Sequence, residues 1–238
     1  MDLNGLVLWE DAHLLAVNKP PGLRVLPDGY DPEASHLKAI LEPVFGRIWI
    51  VHRLDRCTSG VLVLARTAGA HRSLNAQFEG RTVFKRYHAL TCGLPDWSET
   101  TVNLPLRANG DRRHRTVVDF RKGKPSITHF RVLERFAGFC LLEAIPKTGR
   151  RHQVRAHLRA AGLPLACDNL YGDGEPVYLS RIKKGYKKRG CEAALLDRPG
   201  LHALSLEIDH PLTGVRLCFQ AKIPEDFERV LHRLHEDK

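Results

Sequence analysis

The sequence predicts an α+β fold: a mixed, mainly antiparallel sheet flanked by a few helices. Residues 127–136 and 139–145 are two apolar-rich runs separated only by Ala137-Gly138, and 204–208 and 215–219 alternate apolar with polar residues around Pro211-Leu212-Thr213-Gly214. Such paired runs about a tight break are how antiparallel hairpins are written in sequence. Helical spacing of apolar residues is confined to short stretches.

Taken in order, residues 6–17 begin with an extended apolar stretch, broken by Asn18-Lys19-Pro20-Pro21-Gly22, whose residue types fix a turn. Ser35 offers a cap for a helix whose apolar positions Leu37, Ile40, Leu41 and Val44 end at Gly46. Residues 47–51 and 61–65 are two short apolar strands with a polar loop between them. Leu74 and Phe78, four apart between Gly69 and Gly80, define a short helix over those strands. Residues 85–92 mix polar and apolar types as a strand does, and a helix follows Ile145-Pro146 and closes at Gly162. Phe227, Val230, Leu231 and Leu234 share one face of a last helix over 224–235. Residues 109–124 and 172–200, polar, basic and rich in glycine, read as long excursions from the sheet. No internal repeat or low-complexity linker divides the chain, so one domain is expected over 1–238.

Of the 238 residues 43% are hydrophobic, enough for a sizeable core. Lys and Arg number 37 against 27 Asp and Glu, a formal charge of +10 that points to a polyanionic partner such as nucleic acid, with a membrane surface as the rival. No run of about 18 apolar residues appears. Residues 1–15 carry Asp2, Glu10 and Asp11 and no small-residue cleavage site, so a cytoplasmic protein without a membrane partner is expected. The six cysteines never form Cys-x-x-Cys, and His152 and His157 are five apart rather than the four that align two ligands on a helix, so no metal is expected.

The string His52-Arg53-Leu54-Asp55-Arg56-Cys57-Thr58-Ser59-Gly60 places one carboxylate between two arginines on a polar loop. Arginine is always charged and favours the ionised form of a nearby carboxylate; an ionised, fixed carboxylate can act as nucleophile or base. A surface ion pair capping a turn would use the same residues and do no chemistry. A second string, Lys147-Thr148-Gly149-Arg150-Arg151-His152-Gln153-Val154-Arg155-Ala156-His157-Leu158, crowds cations into the start of a helix, where free N–H groups and the dipole attract phosphate. Arg155 falls on about the same face as Arg151 and beside Val154, so one of the two is expected to point inward. In the excursion 172–200, Arg181, Lys183, Lys184, Lys187, Lys188 and Arg189 interleave with Tyr178 and Tyr186. A charge run is often only a solvated face, but in so basic a chain phosphate contact is the expectation.

Together these strings resemble the RluA family of pseudouridine synthases. The first is similar to the family's His-Arg-Leu-Asp and Thr-Ser-Gly around the catalytic aspartate. The second resembles its Thr-Gly-Arg-Thr/Ser-His-Gln-Ile/Leu-Arg-x-His pattern, with Arg151 where Thr or Ser is usual. Lys85-Arg86-Tyr87-His88-Ala89 looks like its Lys-x-Tyr-x-Ala segment. The likeness continues through Asn18-Lys19-Pro20-Pro21-Gly22, Asp168-Asn169-Leu170-Tyr171-Gly172, Leu201-His202-Ala203 and His210-Pro211-Leu212-Thr213-Gly214, nearly the whole chain, with Cys167 where a glycine is usual.

The resemblance implies the pseudouridine-synthase fold with a central RNA-binding cleft, and isomerisation of specific uridines in structured RNA, ribosomal or transfer. Asp55 would be the catalytic carboxylate, Arg155 its ion-pair partner, and Tyr87 would lie against the target base. Arg53, His52, Thr58, Lys85, Arg150 and Arg151 are expected to contact the substrate, as are Lys183, Lys184, Lys187 and Lys188 of the excursion. The implied reaction is redox-neutral and calls for no cofactor. A monomer without an obligate protein partner is expected, as is a catalytic core that begins almost at Met1 with no S4 RNA-binding domain ahead of it. A non-catalytic basic RNA-binding module is the alternative; it predicts affinity without turnover and has no chemical need of Asp55, Tyr87 and Arg155 together. A hydrolase with an aspartyl nucleophile fits less well, because no second carboxylate accompanies Asp55.

Overall fold

The computed structural model describes residues 5–27, 34–183, 185–186 and 190–237. In chain order its elements are β1 (Val7–Glu10), β2 (Leu14–Lys19), α1 (Leu37–Phe45), β3 (Trp49–Ile50), β4 (Ser59–Ala65), α2 (Ala68–Glu79), β5 (Phe84–Cys92), β6 (Glu99–Asn103), β7 (Leu106–Arg107), β8 (Val117–Val118), β9 (Ile127–Arg135), β10 (Phe139–Pro146), α3 (Gln153–Ala160), α4 (Leu179–Ile182), β11 (Leu201–Asp209), β12 (Arg216–Gln220) and α5 (Glu225–Glu236). They make up two compact units, Met1–Arg86 with His202–Lys222, and Tyr87–Leu201 with Ile223–Lys238. Among the described residues no helix is long and apolar enough to cross a membrane.

In the first unit β1 and β2 form an antiparallel hairpin, and β4 pairs antiparallel with β2 from Leu14↔Ala65 to Lys19↔Gly60. β3 pairs with the end of β4, and β11 runs parallel to its start through His202↔Ser59 and Ala203↔Gly60 before turning back as β12. Alternate residues of these strands, Leu14, Ala16, Val61, Val63, Ala65, Leu206 and Ile208, pack with Ala70 and Leu74 of α2 in one core. That is the period of two a sheet face requires. β4 is buried at every position, which is why it reads as an unbroken apolar run. α2 begins at Thr67, whose hydroxyl oxygen accepts the Ala70 N–H at 3.1 Å. α1 corrects the expected cap: His36, not Ser35, precedes it, and its Nδ1 accepts the Ala39 N–H at 3.2 Å. The imidazole presents the acceptor a serine would have supplied, one residue later.

The second unit is built on β5, β10, β9 and β6, antiparallel throughout. Gly138, at φ 79°, makes the β9–β10 turn as expected. One face of β10, Cys140, Leu142 and Ala144, packs with Val154 and Leu158 of α3; the other, Phe139 and Leu141, packs with Phe227, Val230 and Leu234 of α5. Burying each large side chain on α5 stabilises by roughly 1.5–3 kcal/mol, whereas a 12-residue helix is marginal alone. Packing therefore decides this element. The excursions are more regular than expected. Residues 106–118 contain the β7–β8 hairpin, with Leu106↔Val118 and Arg107↔Val117, and 172–200 contains α4.

Candidate active site

Asp55 lies on the loop between β3 and β4, and its carbonyl accepts the Thr58 N–H at 3.1 Å, closing a four-residue turn over Arg56 and Cys57. Lys19, the last residue of β2, is fully buried. Its Nζ donates to the carbonyls of Pro20 and Leu23, both at 2.8 Å, and of Arg56 at 3.2 Å. The Arg56 Nε donates to the Gly22 carbonyl at 3.0 Å. The Asn18–Gly22 loop is thus locked to the Asp55 turn by one ammonium and one guanidinium, and hydrogen bonds from charged donors are the strong ones. Just beyond the turn, Ser59 Oγ and His202 Nδ1 share a buried hydrogen bond of 2.9 Å. Gly60, at φ +116°, has no room for a side chain, because a Cβ would meet the Ala203 carbonyl oxygen at 2.1 Å.

His52 stacks on Phe78 with ring centroids 4.6 Å apart, and its Nε2 accepts the Val63 N–H at 3.0 Å. Burial first, and then the positive Lys85, push its pKa down to about 3. A neutral, stacked ring supports the loop and brings no charge to a phosphate. Burial also pulls the Lys85 ammonium down to about 8, leaving it largely protonated at neutral pH.

In the second unit the Lys147–Leu158 string is pinned to β9 by its own side chains. Gln153 Nε2 donates to the Ile127 carbonyl at 2.9 Å and to Thr128 Oγ1 at 3.0 Å, while its Oε1 accepts from Thr148 Oγ1 at 2.7 Å. His157 reaches Thr128 Oγ1 at 2.9 Å and the Leu104 carbonyl at 3.1 Å. Between these anchors Arg155 points inward, 6% exposed. Its Nε and one Nη donate to the two oxygens of Asp168, both at 2.8 Å, and its guanidinium lies over the Tyr171 ring at 5.1 Å. Asp168 Oδ1 also accepts the N–H groups of Leu170 and Tyr171, at 3.0 and 3.1 Å. The Tyr171 hydroxyl accepts the Thr116 N–H at 2.8 Å and meets His152 Nδ1 at 3.0 Å.

The first unit therefore holds His52, Arg53, Asp55, Thr58 and Lys85, with Arg53 exposed and Thr58 buried. The second holds Tyr87, which pairs with Ala144 on β10, the half-buried Arg150, and the exposed Arg151 and Lys183 beside the inward Arg155. Lys184, Lys187 and Lys188 lie outside the described residues. Asp168, Lys19 and His202 had no role assigned to them from the sequence. The available signal was a charged residue in an apolar setting, as in Leu165-Ala166-Cys167-Asp168. The departure at Cys167 has a plain geometry: it adopts φ 60°, the left-handed region a glycine enters freely.

Residues 13–160, a span that takes in both the Asp55 turn and Arg155, match the family model for RNA pseudouridylate synthase. The chain belongs to the RluA family of pseudouridine synthases. The synthase is 36% identical over 246 residues to ribosomal large subunit pseudouridine synthase D of Pseudomonas aeruginosa, the alignment spanning 100% of this chain and 74% of that one. It is 35% identical over 242 residues to ribosomal large subunit pseudouridine synthase C of Vibrio cholerae, over 99% of this chain and 71% of that one. Among solved structures, human RNA pseudouridylate synthase domain containing 4 matches with a TM-score of 0.72 at 26% identity, over 98% of this chain and 94% of that one. The synthase has the α+β, mostly antiparallel fold of pseudouridylate synthase domains, and it is an RNA-isomerising enzyme by family.

Proposed function

We propose that this synthase isomerises uridines of ribosomal RNA, with Asp55 as the reacting carboxylate and both compact units serving one catalytic domain. The observation that carries the reading is the position of Asp55 at the head of a turn held by Thr58, Lys19 and Arg56, inside the family match. A surface ion pair needs no such clamp. In the reaction the bond from ribose C1′ to uracil N1 breaks, the base turns, C1′ bonds to C5, the C5 proton leaves and N1 gains one. Asp55 either attacks C1′ or takes a ribose proton so that a glycal forms; both need an ionised, fixed carboxylate. Arg155 is assigned to orient that carboxylate, and its own bidentate fixing by Asp168 supports a positioning role.

The target atoms are inaccessible in a stacked helix, so the nucleotide is flipped out, at a cost of a few kcal/mol of unstacking. Tyr87 is assigned to lie against the flipped base. Arg53, Lys85, Arg150, Arg151 and Lys183 are assigned to the RNA backbone, where the +10 charge of the chain supplies attraction. Relatives named for the large ribosomal subunit support ribosomal RNA over transfer RNA. A monomer acting in the cytoplasm fits this reading. Asp55→Asn removes the nucleophile and base while keeping shape. Tritium release from [5-³H]uridine-labelled ribosomal RNA is expected from the wild type and not from this variant; wild-type turnover by the variant sinks the assignment. Release from transfer RNA alone would reassign the substrate, and binding without release by the wild type would favour the non-catalytic module.

A further inference from the structure

The β7–β8 hairpin continues into a turn, Asp119-Phe120-Arg121-Lys122-Gly123, that is built with more care than a solvated loop requires. Leu106 and Lys124 exchange both backbone hydrogen bonds at 2.9 Å, the Asp119 N–H goes to the Pro105 carbonyl at 3.0 Å, and the Gly123 N–H to the Asp119 carbonyl at 2.8 Å. Asp119 Oδ1 accepts the N–H groups of Arg121 and Lys122, both at 2.9 Å, while its other oxygen pairs with Arg107 Nε. Gly123 is required, since a Cβ there would meet the Asp119 carbonyl oxygen at 2.3 Å. The Asp119 carboxyl is held down to about 2, first by the Lys122 N–H and then by Arg107, so the turn keeps its ionised anchor across the working pH range.

At the tip of this fixed turn Phe120 is 78% exposed, more than any other large apolar side chain among the described residues. Its neighbours Arg121, Lys122 and Lys124 are exposed as well. From Arg107 to Lys124 the chain carries seven Lys and Arg against Asp111 and Asp119, and both aspartates are already paired, with Arg115 and Arg107. A protein-docking patch would surround its aromatic with apolar residues; here cations surround it. An occupant must present negative charge and a flat apolar face together. Single-stranded RNA does so, through phosphates and unstacked bases, whereas a duplex hides its base faces.

We propose that Phe120 is a stacking platform for an unpaired base of the RNA substrate, with Arg121, Lys122 and Lys124 holding the adjoining phosphates. The proposal rests on the RNA-modifying reading above and extends it to a named contact.

The test is fluorescence anisotropy with a labelled 20-nucleotide single-stranded RNA of mixed sequence and with a duplex of the same length. Stacking on an aromatic residue is worth about 1–3 kcal/mol per base, or roughly 5- to 150-fold in affinity. Phe120→Ala is expected to weaken single-strand binding within that range and to leave duplex binding unchanged. Phe120→Trp should bind within about threefold of wild type, and Phe120→Leu should bind as weakly as alanine, because leucine is apolar but cannot stack. The double variant Arg121→Ala/Lys122→Ala should flatten the salt dependence, which Phe120→Ala should not. Wild-type affinity in Phe120→Ala or Phe120→Leu overturns the platform, as does equal loss on the duplex or a change in sedimentation of the free protein. Tritium release by the same preparations keeps the two readings apart. Turnover by the wild type with no binding defect in Phe120→Ala defeats only the platform; a single-strand defect without turnover defeats only the assigned reaction.

Discussion

Arg155 and Asp168 form the most deeply buried ion pair among the described residues, their side chains 7% and 0% exposed. Removing one partner of such a pair leaves the other charged in a dry interior, which costs about 3–5 kcal/mol. Asp168→Ala is expected to lose that much stability in urea denaturation. Asp168→Asn should lose less, since its carbonyl can still accept the Leu170 and Tyr171 N–H groups; equal stability of Asp168→Ala and wild type would contradict the role given to the pair. An inward arginine was legible from its place beside Val154. Its Asp168 partner was not, because it lies 13 residues away across a helix end, where no periodicity connects them. Cys167 teaches the complementary lesson. Its φ of 60° carries a strain of about 1–2 kcal/mol, yet its thiol is buried and reaches the Leu196 carbonyl at 3.3 Å. Cys167→Gly relieves strain while losing packing, and Cys167→Ala loses packing alone. The glycine variant is therefore expected to melt above the alanine variant.

At the scale of elements, the chain around Asp55 depends on close approach and on neutral histidine. Gly60→Ala combines a forbidden φ with a clash against the Ala203 backbone, and is expected to destabilise by more than about 3 kcal/mol; an unchanged melting temperature would refute the packing of β4 on β11. Burial, aided by Lys85, lowers His52 to about 3, and burial also lowers His88 and His157. Histidine in the unfolded chain titrates near 6.5, so between about 6.5 and 3 the unfolded state takes up protons that the folded state does not. Stability is full above pH 6.5 and falls as the pH drops through this window. Thermal midpoints measured from pH 7 to 5 should decline, with a shallower slope in His52→Gln. The β9–β10 and β11–β12 hairpins and the helices α2, α3 and α5 were legible because alternation and helical spacing run long enough to register. The two-residue strands β7 and β8 and the four-residue α4 were not, since so short a run has no period to read. Residues 6–17, expected as one extended stretch, instead turn back on themselves as β1 and β2, where Asp11 accepts the His13 and Leu14 N–H groups.

For the whole molecule, the antiparallel α+β character followed from patterning, while the division into two units did not. Two of the three boundaries, Arg86/Tyr87 and Leu201/His202, fall within β5 and β11 rather than in a linker, and the third, Lys222/Ile223, lies in the short connection between β12 and α5. Net charge is the other property of the molecule as a whole. With +10 charges and several exposed cations on the second unit, affinity for RNA should fall linearly in log K against log salt, with a slope set by the phosphates neutralised. A salt-independent affinity would contradict backbone contact. The central claim, that Asp55 of this chain makes pseudouridine in ribosomal RNA, is tested most directly by mapping pseudouridines at nucleotide resolution in RNA from cells lacking the protein, complemented with wild type or with Asp55→Asn. At least one ribosomal position should lose its pseudouridine, regain it with wild type and fail to regain it with the variant. Restoration by Asp55→Asn, or a ribosomal map unchanged by loss of the protein, would contradict the claim.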